Sequence, residues 1–380
     1  MKAYKLNQIE NKRILGRNVK NAGNSDKPLN LFWAAAALEL NVKSSEVWIK
    51  ISSKYNTYEP WISVYINNSP VCRFMAPVEP QWICIARNMN PENQNLITIY
   101  KDNQPMSGEE LHSLFIHEIG LSDTGTFEPL KPRKMSIEFV GDSITSGEGL
   151  AGCPSEGDWI SQWMCASKNY AVQLCKKLDA DWSLVSQCGW GICWGWDGNR
   201  NSVMPPHYKN VCSVMWGDFQ NSLGVNEAYD FSVKNDYVIV NLGTNDNGAF
   251  AQPAWKDSDG KEYVLTLDEN KKASKKDGTV VAEGVKDFLK TIREKNPDSK
   301  IIWVWGMIKL TMLPDFILQG IEDYKKLSGD KKVYSLELDA MEDVEVCDED
   351  KGSRGHPGPK THKLAAEKIY NFIQNLQAEE

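Results

Sequence analysis

The first third of the chain alternates short apolar runs with clusters of turn-forming residues. Over residues 29–118, eight runs are rich in aromatic and β-branched side chains, which is the composition of half-buried strands. Their spacing of about 8–12 residues is typical of a β-sandwich. The eight runs are LNLFWAA, LELNVK, EVWIKISS, WISVYIN, VCRFM, WICIAR, NLITIYKD and LFIHEI.

Beyond Lys134 the pattern changes to apolar strands separated by helical segments. This alternation predicts βαβ crossovers and a mostly parallel sheet with helices on both faces. Strands are predicted at MSIEFV, WSLVSQC, DYVIVNLG, KIIWVWGM and KVYSLEL, and helices at residues 168–178, 280–295, 314–327 and 363–376.

The change of pattern predicts two domains. We expect a β-sandwich over residues 1–128 and an α/β domain over residues 129–380, with the Gly- and Pro-containing segment 122–134 at the junction. Ligands of parallel sheets bind beyond the carboxyl ends of the strands. Two long insertions, residues 149–167 and 189–230, are rich in Gly and Trp and are expected to wall a substrate cleft there.

Charge and composition exclude several classes of function. The 380 residues include 43 Lys and Arg against 51 Asp and Glu, a net charge of −8, which argues against nucleic acid as the main ligand. The longest apolar run, LFWAAAAL, is far shorter than the about 20 residues that span a bilayer. The first 24 residues are polar, without the apolar stretch of a secretory signal, so we expect a cytoplasmic protein.

Metal and cofactor signatures are missing from the sequence as well. The nine cysteines contain no CxxC pair, and neither a P-loop nor a GxGxxG turn follows a strand. We therefore expect no metal site and no nucleotide binding.

Four short blocks carry residues that suit nucleophilic catalysis. GDSITSGEG follows the first strand of the α/β half and places Ser143 in a Gly-flanked turn. A serine hydroxyl needs a base and hydrogen-bond donors for an oxyanion before it can attack an ester. Gly189 follows the strand WSLVSQC, Asn245 lies in GTND after DYVIVNL, and His356 lies in RGHPGPKTH before the last helix. Each block alone is also explained as an ordinary turn.

In this order, the four blocks resemble the SGNH, or GDSL, hydrolase superfamily. The segment LNLFWAAAALELNV and the block SGEG further resemble carbohydrate esterase family two, in which a jelly-roll β-sandwich precedes the hydrolase domain. The resemblance implies a three-layer α/β/α catalytic domain with a mostly parallel sheet. It also implies cofactor-independent removal of O-acetyl groups from xylan-derived or other acetylated oligosaccharides.

The same resemblance assigns roles to the residues of the four blocks. Ser143 matches the nucleophile and His356 the general base, while the N–H groups of Ser143 and Gly189 and the amide of Asn245 match the oxyanion donors. Many relatives carry an Asp three residues before the catalytic His, but Ser353 stands at that position here. The family uses a Ser/His dyad in which a backbone carbonyl orients the imidazole. The sequence leaves Asp348 and Asp350 as alternative orienting groups.

Three tryptophans follow the oxyanion glycine directly. Trp190, Trp194 and Trp196 are interleaved with glycines, and an indole face can support a pyranose ring, although tryptophans also fill cores. We expect these three residues to bind substrate. Asp142 and Asp246 are expected to brace their own loops through hydrogen bonds to backbone.

Two other functions stay open at this point. One is an SGNH esterase or thioesterase of non-carbohydrate specificity, and the other is a carbohydrate-binding protein whose esterase half is vestigial. The complete set of Ser143, Gly189, Asn245 and His356 favours an enzyme, and the Trp-rich loop favours a sugar substrate. The sequence leaves open the acetyl position on the ring, the role of the sandwich and assembly into a homo-oligomer.

Overall fold

The computed structural model describes residues 1–379. Its strands are β1 (Lys2–Lys5), β2 (Lys12–Leu15), β3 (Leu29–Asn30), β4 (Ala37–Lys43), β5 (Glu46–Lys54), β6 (Trp61–Ile66), β7 (Ser69–Met75), β8 (Gln81–Arg87), β9 (Asn95–Lys101), β10 (Ser113–Leu121), β11 (Thr126–Glu128), β12 (Met135–Gly141), β13 (Ala180–Ser186), β14 (Tyr237–Asn241), β15 (Trp255–Lys256), β16 (Glu262–Tyr263), β17 (Lys300–Trp305) and β18 (Val333–Glu337).

Its α-helices are α1 (Ser143–Ser146), α2 (Tyr170–Leu178), α3 (Asp218–Ser222), α4 (Thr244–Gly248), α5 (Lys275–Lys295), α6 (Pro314–Ser328), α7 (Met341–Val344) and α8 (Pro359–Ala378). Single turns of 3₁₀-helix lie at Leu6–Gln8, Ser161–Trp163, Ala166–Lys168, Pro205–His207, Ala249–Ala251 and Asp348–Asp350. Within residues 1–379, no helix is both long and apolar enough to cross a membrane.

The first compact unit comprises residues 1–133, 158–167 and 209–230. One antiparallel sheet has the order β1-β10-β5-β8 with β3 on β10, and a second has the order β11-β4-β9-β6-β7 with β2 on β4. Both sheets contribute to one hydrophobic cluster, which includes the fully buried Leu40, Ile49, Ile99 and Ile116. Each of the eight predicted runs contains a strand, whereas β1, β2 and β11 lie in more polar segments that the pattern did not predict.

Parts of both predicted insertions belong to this first unit, which differs from the contiguous division at residues 128/129. Asp102 is completely buried and accepts hydrogen bonds from Arg73 Nε at 2.8 Å and from the backbone N–H of Ser167 at 2.9 Å. Trp33 Nε1 donates to the carbonyl of Val211 at 2.7 Å. Such contacts join residues far apart in sequence, so local patterning does not reveal them.

The second unit comprises residues 134–157, 168–208 and 231–379. Its five-stranded sheet has the order β13-β12-β14-β17-β18, and all four pairings are parallel, which confirms the predicted parallel sheet. Helix α2 packs against α8, and α5 packs against α6. Because β13, β12 and β14 are neighbours, the loops that follow their carboxyl ends lie side by side.

Two helices begin earlier than their apolar patterns predict. Helix α5 starts at Lys275 because the Ser274 hydroxyl accepts a hydrogen bond from the N–H of Asp277, and α8 starts with Pro359 in its first turn. A side-chain cap and a first-turn proline both favour helix initiation in a polar segment. The predictions at residues 280 and 363 were therefore late by about one turn.

The packing of α5 against α6 depends on two helical glycines. A Cβ atom on Gly278 would overlap the ring of Phe316, and one on Gly320 would overlap the carbonyl of Ala282. The absence of these two methyl groups lets the helices approach closely.

We predict that Gly320→Ala destabilises the protein even though alanine is the better helix former. The helix preference contributes about 0.5–1 kcal/mol in favour of alanine, whereas an overpacked contact costs about 1–3 kcal/mol. The midpoint of urea unfolding should therefore fall. Gly248→Ala, at the end of α4 where no atom lies within 4 Å of the added Cβ, is the matched control and should not lower it. Equal midpoints for the two variants would contradict the packing account.

Candidate active site

The turn after β12 presents Ser143. Strand β12 ends at Gly141, where a Cβ atom would overlap the side chain of Thr145, so α1 can begin at once only because this residue is glycine. The Asp142 side chain caps α1 by accepting the N–H of Ile144 at 3.0 Å. Ser143 is thereby fixed in the first turn of a short helix and is 6% exposed.

The imidazole of His356 contacts the Ser143 hydroxyl. His356 Nε2 lies 2.9 Å from Ser143 Oγ, and His356 Nδ1 lies 3.2 Å from the carbonyl oxygen of Arg354. A carbonyl can only accept a hydrogen bond, so Nδ1 carries the proton and Nε2 has its lone pair directed at the hydroxyl. This tautomer is the one that can accept a proton from a serine nucleophile.

The segment that carries His356 is held against the end of the serine turn. The N–H of Ser353 donates to the carbonyl of Gly149 at 3.1 Å. Gly149 has φ +84°, and a Cβ there would lie 2.8 Å from the carbonyl oxygen of Ser353 and 3.0 Å from His356 Cβ. The second glycine of the SGEG block therefore allows His356 to approach Ser143 closely.

Glu148 lies beside the imidazole, and the sequence analysis did not identify it. Its side chain is 6% exposed, with Oε1 accepting from Arg354 Nη1 at 2.6 Å and Oε2 lying 3.5 Å from His356 Nε2. A carboxylate thus faces the side of the imidazole that contacts Ser143, and the Arg354 guanidinium partly balances its charge. The position of Glu148 between Gly147 and Gly149 was the signal that could have identified it.

Asp348 and Asp350 bind other groups instead of the imidazole. Asp350 Oδ2 accepts from Lys360 Nζ at 2.9 Å, and the pKa of this carboxyl is held far below its usual value, chiefly by that hydrogen bond. Asp348 Oδ1 accepts from Lys351 Nζ at 3.3 Å. The group bound to His356 Nδ1 is instead the Arg354 carbonyl.

Gly189 and Asn245 follow the two strands that flank β12. Asn245 lies in α4 after β14 and donates its Nδ2 to the carbonyl of Trp190 at 2.9 Å, which orients the amide. Gly189 follows β13 with φ +77°. Within residues 1–379, the backbone N–H groups of Ser143 and Gly189 donate to no protein acceptor. These donors thus follow three neighbouring strands.

Two buried aspartates brace these loops. Asp142 braces its own turn, as predicted, whereas Asp246 binds backbone N–H groups of the loop that follows β13 instead of those of its own loop. Asp246 accepts the N–H groups of Ile192 and Cys193, each at 2.8 Å, and burial raises the pKa of this carboxyl to about 6. Burial likewise raises the pKa of Asp142, which caps α1, to about 7. Asp246 thereby holds the segment that follows Gly189.

The three tryptophans differ in exposure, and one prediction is wrong. Trp194 is 1% exposed and donates its indole N–H to the carbonyl of Asp246 at 2.9 Å, so its face cannot support a sugar. Trp196 is 55% exposed, and its ring lies next to Gly189, where a Cβ would be 2.9 Å from Cδ1. The ring of Trp190 lies 5.0 Å from that of His207, centroid to centroid. Trp190 and Trp196 therefore remain candidates for substrate binding.

No metal site accompanies these residues in the part of the chain that is described. Across residues 1–379, His, Cys, Asp and Glu side chains form no group of three or more that could hold a metal ion.

Two solved structures are similar to the whole chain. An acetyl xylan esterase, Est2A, from the rumen bacterium Butyrivibrio proteoclasticus is 33% identical, with a TM-score of 0.93 and full coverage of both chains (100% each). A family two carbohydrate esterase from Clostridium thermocellum, solved in complex with cellohexaose, is 21% identical, with a TM-score of 0.77 and coverage of 97% of this chain and 99% of the other. At that identity the second structure shows the fold alone.

Among curated proteins, the chain is similar to the cellulase/esterase CelE of Acetivibrio thermocellus. The two are 24% identical over 355 residues, which cover 90% of this chain and 37% of CelE. The chain thus spans little more than a third of the length of this relative. No family model matches the chain.

We predict that neither Asp348 nor Asp350 is needed for catalysis. Because the Arg354 carbonyl binds His356 Nδ1, Asp348→Asn and Asp350→Asn should each keep kcat for an acetyl ester within about tenfold of the wild-type value. The orienting Asp of a serine-protease triad, by comparison, costs about 10⁴ in kcat when replaced by Asn. His356→Ala is the reference for full loss. A fall in either Asp variant close to that of His356→Ala, with folding unchanged, would indicate a triad.

We further predict that Glu148→Gln lowers kcat at least tenfold with little change in KM. The substitution keeps the shape of the side chain and an acceptor for Arg354, but it removes the negative charge 3.5 Å from His356 Nε2. That charge should stabilise the imidazolium that forms as the imidazole accepts a proton. Glu349→Gln, which changes an exposed acid in the segment that precedes His356, is the control. An unchanged kcat in Glu148→Gln would contradict the prediction that the Glu148 charge stabilises the imidazolium.

Proposed function

Because the chain belongs to carbohydrate esterase family two, we propose that it is a carboxylic ester hydrolase that removes O-acetyl groups from carbohydrates. The observation that carries the proposal is the pair of contacts made by His356. Nε2 lies 2.9 Å from the Ser143 hydroxyl, while the bond from Nδ1 to the Arg354 carbonyl fixes the tautomer that a general base requires.

In the first half of the reaction, Ser143 Oγ attacks the carbonyl carbon of the acetyl group while His356 Nε2 accepts the hydroxyl proton. The resulting negative charge develops on the former carbonyl oxygen. The N–H groups of Ser143 and Gly189 and the Asn245 amide are the proposed donors to that oxygen. The tetrahedral intermediate then breaks its bond to the sugar oxygen, which takes the proton from His356 and leaves as an alcohol.

In the second half, water attacks the acetyl-Ser143 ester. His356 Nε2 accepts a proton from the water, the same donors stabilise the second oxyanion, and the proton returns to Ser143 Oγ as acetate leaves. Both halves pass through an imidazolium. In the proposed mechanism the Arg354 carbonyl and the Glu148 carboxylate stabilise that cation on its two nitrogen sides.

Two kinds of observation support a sugar as the part of the substrate that carries the acetyl group. Trp196 is more than half exposed beside Gly189, and indole faces suit the apolar faces of pyranose rings. A similar protein, 33% identical over the whole chain, is an acetyl xylan esterase. We propose acetylated oligosaccharides, including xylan-derived ones, as substrates.

We also propose that the first unit, with its two antiparallel sheets, is a jelly roll.

The substrate class can be tested by product analysis. We expect acetate release from acetylated xylo-oligosaccharides to exceed hydrolysis of acetyl-CoA, measured as kcat/KM at equal enzyme concentration. A higher kcat/KM for acetyl-CoA would contradict this proposal and indicate a non-carbohydrate substrate. Sugar binding without any hydrolysis would indicate a vestigial esterase.

We predict distinct losses for the nucleophile and for one oxyanion donor. Ser143→Ala should lower kcat by about 10⁴ or more, since it removes the attacking atom. Asn245→Ala should lower kcat by about 10²–10³, the usual effect of removing one such donor, with a smaller effect on KM. Ser155→Ala, at an exposed serine of the same loop region, is the control and should be fully active. Substantial activity in Ser143→Ala, or an effect of Asn245→Ala confined to KM, would contradict these roles.

A further inference from the structure

The first unit contains a cavity that none of the proposed catalytic residues lines. Its volume is about 630 Å³, within the range of 300–1,000 Å³ that is usual for small-molecule sites. All of its lining residues belong to the first unit. It can therefore be considered separately from ester hydrolysis.

One wall of the cavity is the outer face of a sheet. In β10, Leu114 and Ile116 are fully buried in the hydrophobic cluster, whereas the alternating residues Phe115 and His117 line the cavity. Ser52 of β5 is paired in register with Phe115 and lines it as well. The segment 18–30 between β2 and β3, and residues 219–227 around α3, supply the remaining walls.

The cavity combines aromatic surfaces with hydrogen-bonding groups. Phe32, Phe115 and Phe219 contribute rings, which suit the apolar face of a pyranose. His117 Nε2 and Ser52 Oγ lie 2.8 Å apart and form a polar pair on the sheet wall. Asn30 is 8% exposed, and its buried Oδ1 accepts no hydrogen bond within residues 1–379. Rings together with a few polar groups are typical of sugar sites.

The charges at the cavity are predominantly positive. Lys20, Lys27 and Lys54 line it together with a single acid, Glu227. Within the described residues, none of the three lysines forms an ion pair, and Lys54 Nζ lies 4.3 Å from the centre of the Phe219 ring. This excess of cations in a chain of net charge −8 favours a ligand that carries a carboxylate.

We propose that this cavity is a non-catalytic binding site for a uronic acid residue of an oligosaccharide. The sugar ring lies against the phenylalanine rings, its hydroxyls bond to the polar pair and to Asn30, and its carboxylate faces the lysines. The site recognises an acidic sugar whether or not that sugar is acetylated.

The test is calorimetric titration of the full-length Ser143→Ala protein, which cannot consume an ester. The probes are an aldobiouronic acid, in which glucuronic acid is linked to xylose, and the neutral disaccharide xylobiose. We expect the acidic disaccharide to bind at least tenfold more tightly, with weaker binding at higher salt. Equal affinities for the two probes, or no detectable binding of the acid, would overturn the proposal.

Variants then locate the bound sugar. Lys27→Met combined with Lys54→Met, and separately Phe219→Ala, should each weaken binding of the acidic disaccharide at least tenfold. Lys50→Met is the matched control, because Lys50 lies in the same strand but is paired with Glu118 at 2.8 Å and does not line the cavity. Unchanged binding in the double lysine variant would place the sugar elsewhere and overturn the assignment. If a simple aromatic acid such as 4-coumarate bound at these residues more tightly than the acidic disaccharide, the ligand would be an aromatic acid and the sugar assignment would be overturned.

This result is independent of the proposed esterase function. Binding is measured without hydrolysis, so a failure to bind would leave the esterase proposal standing. An enzyme inactive on every acetyl ester would likewise leave a positive binding result standing.

Discussion

In the proposed mechanism, every later step depends on the hydrogen bond from the His356 Nδ1–H to the Arg354 carbonyl, because it determines which imidazole nitrogen can act as a base. Arg354 adopts φ +55°, a left-handed conformation that costs a non-glycine residue about 1–3 kcal/mol. Surrounding contacts hold it there. The N–H of Arg354 donates to the carbonyl of Glu156 at 3.2 Å, and its guanidinium donates to Glu148 and to the carbonyl of Gly157.

A neutral carbonyl in place of a triad carboxylate changes the electrostatics of catalysis. A carboxylate at Nδ1 both orients the imidazole and stabilises its cation, whereas a carbonyl has only a partial charge for the second task. In the proposed mechanism the two tasks are divided between two groups on opposite sides of the ring. The Arg354 carbonyl orients Nδ1, and Glu148 places a buried negative charge 3.5 Å from Nε2.

The sequence predicted those parts of the structure that depend on local pattern. The alternating strands and helices after residue 134, the serine turn and the loops of Gly189 and Asn245 follow from periodicity and from short motifs. The parts that it missed depend on long-range contacts. Trp194 resembles its neighbours in a Gly-rich loop, but Asp246, 52 residues later, binds its indole and backbone N–H groups, and the residue is buried. The assignment of residues 158–167 and 209–230 to the first unit rests on buried groups such as Asp102, which no local pattern marks.

In the proposed mechanism Ser143 Oγ is the atom that becomes acylated, and covalent labelling tests this most directly. The protein would be incubated with one equivalent of an aryl phosphonate ester, which phosphonylates activated serines, and the labelled peptide identified by mass spectrometry. We predict one label per chain, on Ser143, with hydrolysis of acetyl esters lost in proportion to labelling. Complete labelling of a different residue with loss of activity, or full activity in protein labelled at Ser143, would contradict it.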